Sequence, residues 1–119
     1  MRILIADDEA ETVNSLKNVL ERKGHYVHTV YDGHEAFKYI RGNHYDIAFL
    51  DHNMPEYTGL EIAQYIKENN LPVKVVMITG DPDMKAVLAM PLGASDYITK
   101  PFRINDIDAV LDKYCKETQ

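Results

Sequence analysis

Arg2-Ile3-Leu4-Ile5-Ala6-Asp7-Asp8-Glu9 is the stretch on which the fold turns. Its first five residues are a strand-length, mostly apolar run, and the chain then stays acidic for three positions. The run is too short for a membrane span and meets acid too soon for a signal peptide. Similar runs, most of them rich in β-branched residues, recur at 26–30, 47–50, 73–78 and 96–98. Between them apolar residues recur every three or four positions, the helical period. Val13, Leu16, Val19 and Leu20 mark the first helix, with Gly24 as its stop. Ala36, Phe37 and Ile40 mark the second, closed by Gly42, and Leu60, Ala63 and Ile66 mark the third. The fourth, about 83–90, has the weakest pattern, and Met90-Pro91-Leu92 predicts a short or irregular helix there. Ile104, Ile107, Val110 and Leu111 mark the last.

Strand and helix thus alternate five times. Such alternation predicts an α/β fold, a five-stranded parallel sheet with helices on both faces and right-handed crossovers. Runs one, three and four are nearly continuously apolar, as buried parallel strands should be. Run two, Tyr26-Val27-His28-Thr29-Val30, is mixed and suits an edge. No linker, repeat or shift in composition divides the chain, so one domain over 1–119 is expected.

The 119 residues carry 13 Lys and Arg against 19 Asp and Glu, a net charge of −6. An acidic surface repels phosphate backbones, so direct nucleic-acid binding is not expected. Cys115 is the single cysteine, which rules out an internal disulfide. A soluble domain of a reducing compartment follows, with a cytoplasmic location.

In an open parallel sheet, ligands bind beyond the carboxyl ends of the strands. Asp7, Asp8 and Glu9 stand there after run one, and Asp51, His52 and Asn53 after run three. Thr79, Gly80 and Asp81 follow run four, and Thr99 and Lys100 follow run five. Taken alone, Asp7-Asp8-Glu9 reads as the acidic start of a helix. Asp51 changes that, because a cap needs no third acid opposite. Three carboxylates in one crevice raise one another's pKa or require a cation, and Mg²⁺ suits such oxygen donors. Asp51 at a strand end can be a carboxylate nucleophile toward phosphorus, with Lys100 as the fixed cation that the chemistry needs. His52 should turn away from Asp51. The remaining histidines form no metal-ligand cluster, His25 and His28 being sent to opposite faces by their spacing.

Ile-Ala-Asp-Asp-Glu (5–9), Leu-Asp-His-Asn-Met-Pro (50–55), Ile-Thr-Gly (78–80) and Gly-Ala-Ser-Asp-Tyr-Ile-Thr-Lys-Pro-Phe (93–102) stand in order along the chain. In these motifs the sequence resembles the response regulator receiver domains of two-component signalling, over residues 2–116 and nearest in length to stand-alone chemotaxis-type regulators. The resemblance implies a flavodoxin-like (βα)5 fold with strand order 2-1-3-4-5, an order the family is already known for. It implies Asp51 as phospho-acceptor, and Asp7, Asp8, Asp51 and the backbone carbonyl of Asn53 as Mg²⁺ ligands. Thr79 and Lys100 would contact the phosphoryl group, Tyr97 would be the switch aromatic, and Gly80 and Asp81 would tune dephosphorylation. The implied donor is a histidine kinase or histidine phosphotransfer protein.

The implied output is an unknown downstream protein, or a homodimer, reading the face of the fourth helix, fifth strand and last helix. No membrane contact is implied, and no enzymatic activity beyond self-phosphorylation and slow autodephosphorylation. A haloacid-dehalogenase-like phosphatase would carry an aspartate where Asn53 stands. A flavodoxin-like carrier would not place acids after its first strand. A docking-only receiver would lack the acceptor, the acid pair or the lysine. Whether the chain is a whole regulator or a fragment of a longer one stays open.

Overall fold

Each apolar run becomes a parallel strand. The computed structural model describes residues 1–52, 54, 57–80, 96–100 and 102–117. Strands β1 (Arg2–Ala6), β2 (Tyr26–Val30), β3 (Ile47–Asp51), β4 (Lys74–Thr79) and β5 (Asp96–Thr99) form one sheet in the order β2-β1-β3-β4-β5. Every pairing is parallel, with Ile5 beside Phe49, Phe49 beside Val76 and Ile78 beside Ile98. The described helices are α1 (Ala10–Arg22), α2 (Gly33–Gly42), α3 (Gly59–Glu68) and α4 (Ile104–Glu117). The segment expected as a helix at 83–90 lies outside the described residues, as do Asn53 and Asp81.

Strand alternation splits the core into two layers. Leu4, Ala48, Leu50, Val75 and Met77 face α2 and α3 with Ala36, Ile40, Ile62, Ala63 and Ile66. Ile3, Ile5, Ile47, Phe49, Val76 and Ile78 face the other way, onto Val13, Leu16 and Leu20 of α1 and Ile107, Val110 and Leu111 of α4. Both faces are covered, which is why β1, β3 and β4 are apolar at nearly every position. β2 is the edge that its mixed composition predicts.

Helix ends follow local chemistry. Asp32 caps α2, accepting from Glu35 N at 2.7 Å. Thr58 and Glu61 form a reciprocal capping box that starts α3. Gly24 takes φ +89° just past α1, a conformation that glycine adopts without strain. Four expected core positions differ, of which Val19 and Phe37 are half-buried at the margins of the two layers. Leu60 is only half-buried while Ile62 is fully buried, because the Thr58 cap sets the phase of α3. Ile104 is 58% exposed, since it opens α4 beyond the edge of the layer that Ile107, Val110, Leu111 and Tyr114 fill. Among the described residues no helix is long and apolar enough to cross a membrane.

Candidate functional site

The carboxyl ends of β1, β3, β4 and β5 bring the expected residues to one cavity. Asp8, Glu9, Asp51, His52, Thr79, Gly80 and Lys100 line a space of about 480 Å³. Asp7 lies beneath it, fully buried.

Asp51 is the last residue of β3, and its side chain is 7% exposed. Its backbone is pinned from α3. A Cβ on Gly59 would stand 3.0 Å from the Asp51 carbonyl carbon and closer still to its oxygen. Only glycine lets the start of α3 approach the end of β3 this closely. Hydrogen bonds beyond the regular ladder hold the neighbours in place. His52 N donates to Ile78 O at 2.8 Å, Lys100 N to Thr79 O at 2.6 Å, and Asp7 N to Val30 O at 3.2 Å.

The acids are close. Asp7, Asp8 and Asp51 offer carboxylate oxygens that all lie within 4.8 Å of one another. Asp7 Oδ1 accepts from Glu9 N at 2.8 Å, a local turn that starts α1. Asp7 Oδ2 is buried and accepts no well-aligned hydrogen bond. Its neighbour is the Lys100 ammonium, 2.9 Å away. Three hard oxygen donors, one of them buried and under-satisfied, fit a divalent cation such as Mg²⁺.

Lys100 gathers the carboxylates. Its Nζ is 2.7 Å from Glu9 Oε1, 2.9 Å from Asp7 Oδ2 and 3.7 Å from Asp51 Oδ2. Burial alone would lower its pKa. The hydrogen bond to Glu9 and the close carboxylates of Asp7 and Asp51 outweigh that and push it above the ordinary lysine value. Lys100 is therefore a permanent cation at any physiological pH.

Thr79 ends β4 with 1% exposure, and its neighbour Gly80 is open to solvent. Tyr97 lies on β5 beside Met77, half-buried against the α2–α3 layer and away from the acids. His52 follows Asp51 just past the end of β3 and is also among the residues that line the cavity. Glu9 is the residue that sequence reasoning left among the capping acids. It holds the N-cap position of α1 but makes no side-chain cap, and it is the nearest carboxylate to Lys100. The available hint was its length, since caps favour Asp, Asn, Ser and Thr over Glu.

The likeness to known proteins agrees with this geometry. Residues 3–112 match the response regulator receiver domain family. The alkaline phosphatase synthesis transcriptional regulatory protein PhoP of Bacillus subtilis is 37% identical over 109 residues, which is 91% of this chain and 45% of that protein. The chain thus spans about half the length of the curated relatives it matches. A Francisella response regulator receiver domain superposes with a TM-score of 0.90 at 27% identity, covering 99% of this chain and 98% of that one. The response regulator TrrA of Thermotoga maritima, solved with Mg²⁺ and beryllium fluoride, gives 0.86 at 30% identity over 95% and 97%. With the doubly covered sheet, the carboxylate cluster beside Lys100 and a family match along nearly its whole length, the chain belongs to the receiver domains of two-component response regulators.

Proposed function

We propose that Asp51 is the phosphoryl acceptor of this receiver and that a histidine kinase or histidine phosphotransfer protein is its donor. The supporting observation is a buried strand-end carboxylate with a fixed ammonium 3.7 Å away and two further acids beside it. An Asp51 oxygen attacks the phosphorus of a phosphohistidine. The P–N bond breaks as the P–O bond forms, and the freed imidazole takes up a proton. The step brings two anions together, so it depends on positioning and positive charge more than on proton transfer. Lys100 offsets charge on one phosphoryl oxygen. Mg²⁺ held by Asp7, Asp8, Asp51 and the Asn53 backbone carbonyl would neutralise charge between acceptor and donor.

The Thr79 hydroxyl donates to another phosphoryl oxygen. The dianion on Asp51 then draws the segment after β4 inward, and Tyr97 follows into the space released. The β5 and α4 surface, with the fourth helix expected at 83–90, would carry the change to a downstream protein or a second copy. Gly80, and Asp81 next to it in the chain, would tune the acyl phosphate's lifetime. The domain catalyses its own phosphorylation and slow dephosphorylation, works as one unit over 1–119, and acts in the cytoplasm. Its acidic surface favours protein partners over nucleic acid. PhoP is named as a transcriptional regulatory protein, so a transcriptional output is the reading for any longer protein that carries this domain.

Incubation with phosphoramidate and Mg²⁺, followed by intact mass, tests the assignment. A single-phosphate adduct is expected on the wild type, and none on Asp51→Asn or in the presence of a chelator. No adduct on the wild type, or an equal one on Asp51→Asn, overturns it. With beryllofluoride, NMR signals around Tyr97 should shift; their silence would count against the switch.

A further inference from the structure

Glu9 sits at the N-cap of α1 in extended geometry, φ −93° and ψ 105°, yet its carboxylate caps nothing. It reaches across to Lys100, a residue 91 positions away in the chain. At 2.7 Å this is the shortest of the lysine's three carboxylate distances, a full 1.0 Å shorter than the 3.7 Å to Asp51. The ammonium therefore lies closer to the start of α1 than to Asp51, while still paired with both. The pair also forms a shared wall. Glu9 and Lys100 line both the 480 Å³ acceptor cavity and a second space of about 460 Å³ with Glu11, Thr12, Ser15 and Phe102.

A phosphoryl group on Asp51 would compete with Glu9 for the ammonium. The Lys100 side chain is 16% exposed and that of Glu9 is 61% exposed. Glu9 can release the lysine into water at small cost, whereas Asp7, with no exposure, cannot. We propose that Glu9 is a positioning residue that holds Lys100 back from the acceptor. The Glu9–Lys100 pair parts as Asp51 is phosphorylated, and the parting joins the two cavities. This inference rests on the assignment of Asp51 as acceptor and Lys100 as its cation.

The test uses the full chain as wild type, Glu9→Ala, Glu9→Asp and Glu11→Gln. Glu9→Asp is the discriminating variant. It keeps the charge but is one methylene shorter, and aspartate prefers to cap α1 itself. If contact is what matters, Glu9→Ala and Glu9→Asp should both accept phosphate from phosphoramidate roughly three- to five-fold faster, the scale of an ion pair with one exposed member. Glu11→Gln should match the wild type. The Lys100 side-chain nitrogen resonance should shift in both Glu9 variants with no phosphodonor present. A wild-type rate for Glu9→Asp beside a faster Glu9→Ala would mean that charge alone acts, and would overturn the proposal. So would a slower rate in either Glu9 variant, equal acceleration in Glu11→Gln, or an unmoved Lys100 resonance. A wild type that accepts phosphate while both Glu9 variants match it removes only this inference. A wild type that accepts none removes the acceptor assignment, and this inference with it.

Discussion

Helix α2 begins and ends with glycine, and the two ends should answer alanine with opposite signs. At Gly33 an added Cβ would lie 2.6 Å from Tyr57 N and 2.7 Å from Tyr57 C, and nearer still to Tyr57 O. All three are backbone atoms, so no side chain can rotate away. Relief requires α2 or the Tyr57 segment to move, against a ring stack between Phe37 and Tyr57 with centroids 5.2 Å apart. Overpacking of this kind costs about 1–3 kcal/mol. Alanine's better helix propensity returns up to about 1 kcal/mol. With three backbone atoms overlapped, the cost lies in the upper part of that range, and the expected net loss for Gly33→Ala is about 1–2 kcal/mol. Gly42 has nothing within 4 Å of its virtual Cβ. There Gly42→Ala keeps the propensity gain, roughly 0.5 kcal/mol so near a helix end. Urea unfolding by far-UV circular dichroism, with chelator present to remove metal linkage, reads both changes as midpoint shifts at constant slope. Because Tyr57 and Gly59 bracket the start of α3, and Gly59 rests on Asp51, Gly33→Ala should also weaken Mg²⁺ binding. Tyrosine emission can report it, as the chain has eight tyrosines and no tryptophan. A Gly33→Ala protein as stable as Gly42→Ala would refute the steric reasoning.

Tyr45 is 2% exposed and its hydroxyl bonds His28 Nδ1 at 2.7 Å, so Tyr45→Phe should cost about 1 kcal/mol in urea unfolding. Burial also raises the Tyr45 pKa above 10.0, with Arg2 opposing. The stability this adds is complete below pH 10.0 and is lost as pH rises through the folded-state value, and Tyr45→Phe should abolish that alkaline loss. His25 has the opposite slope. Burial, then the Met1 ammonium and Lys23, depress its pKa below 6.5. Stability from neutral His25 is complete above pH 6.5 and falls below it, so His25→Gln should flatten the acid limb of a stability–pH curve; an unchanged limb would exclude His25 as its source.

How far each feature was legible depended on the range of the interaction behind it. β1, β3 and β4 could be read because burial on both faces forces apolar residues at consecutive positions. The convergence of Asp7, Asp8, Asp51, Thr79 and Lys100 could be read because parallel strands place all their carboxyl ends on one edge. The Thr58-Gly59-Leu60-Glu61 box is a local signal too, and it would have shifted the apolar stripe of α3 from Leu60 to Ile62. Glu9 is different in kind. Local rules assign it to the α1 cap, and its true partner is set by how far β5 runs before Lys100 leaves the sheet. No pattern within a window around residue 9 carries that.

The same geometry decides where the acceptor assignment can be tested cleanly. Lys100 touches carboxylates from β3 and from the turn after β1, and one of them, Asp7, has no solvent exposure. Removing the ammonium leaves a buried charge without its counter-ion, a change that commonly costs about 3–5 kcal/mol. A Lys100→Ala protein that fails to accept phosphate could therefore fail by unfolding around Asp7, and the result would say little about phosphoryl contact. Asp51 stands on the opposite side of this balance. Its carboxylate adds to the crowding of Asp7 and Asp8, so Asp51→Asn relieves like-charge repulsion while preserving shape. By the same reasoning the exposed Asp8 should also tolerate asparagine, so Asp51 and Asp8, unlike Asp7 or Lys100, can be neutralised with the fold intact. Lost phosphorylation together with unimpaired unfolding stability in Asp51→Asn would be attributable to chemistry alone.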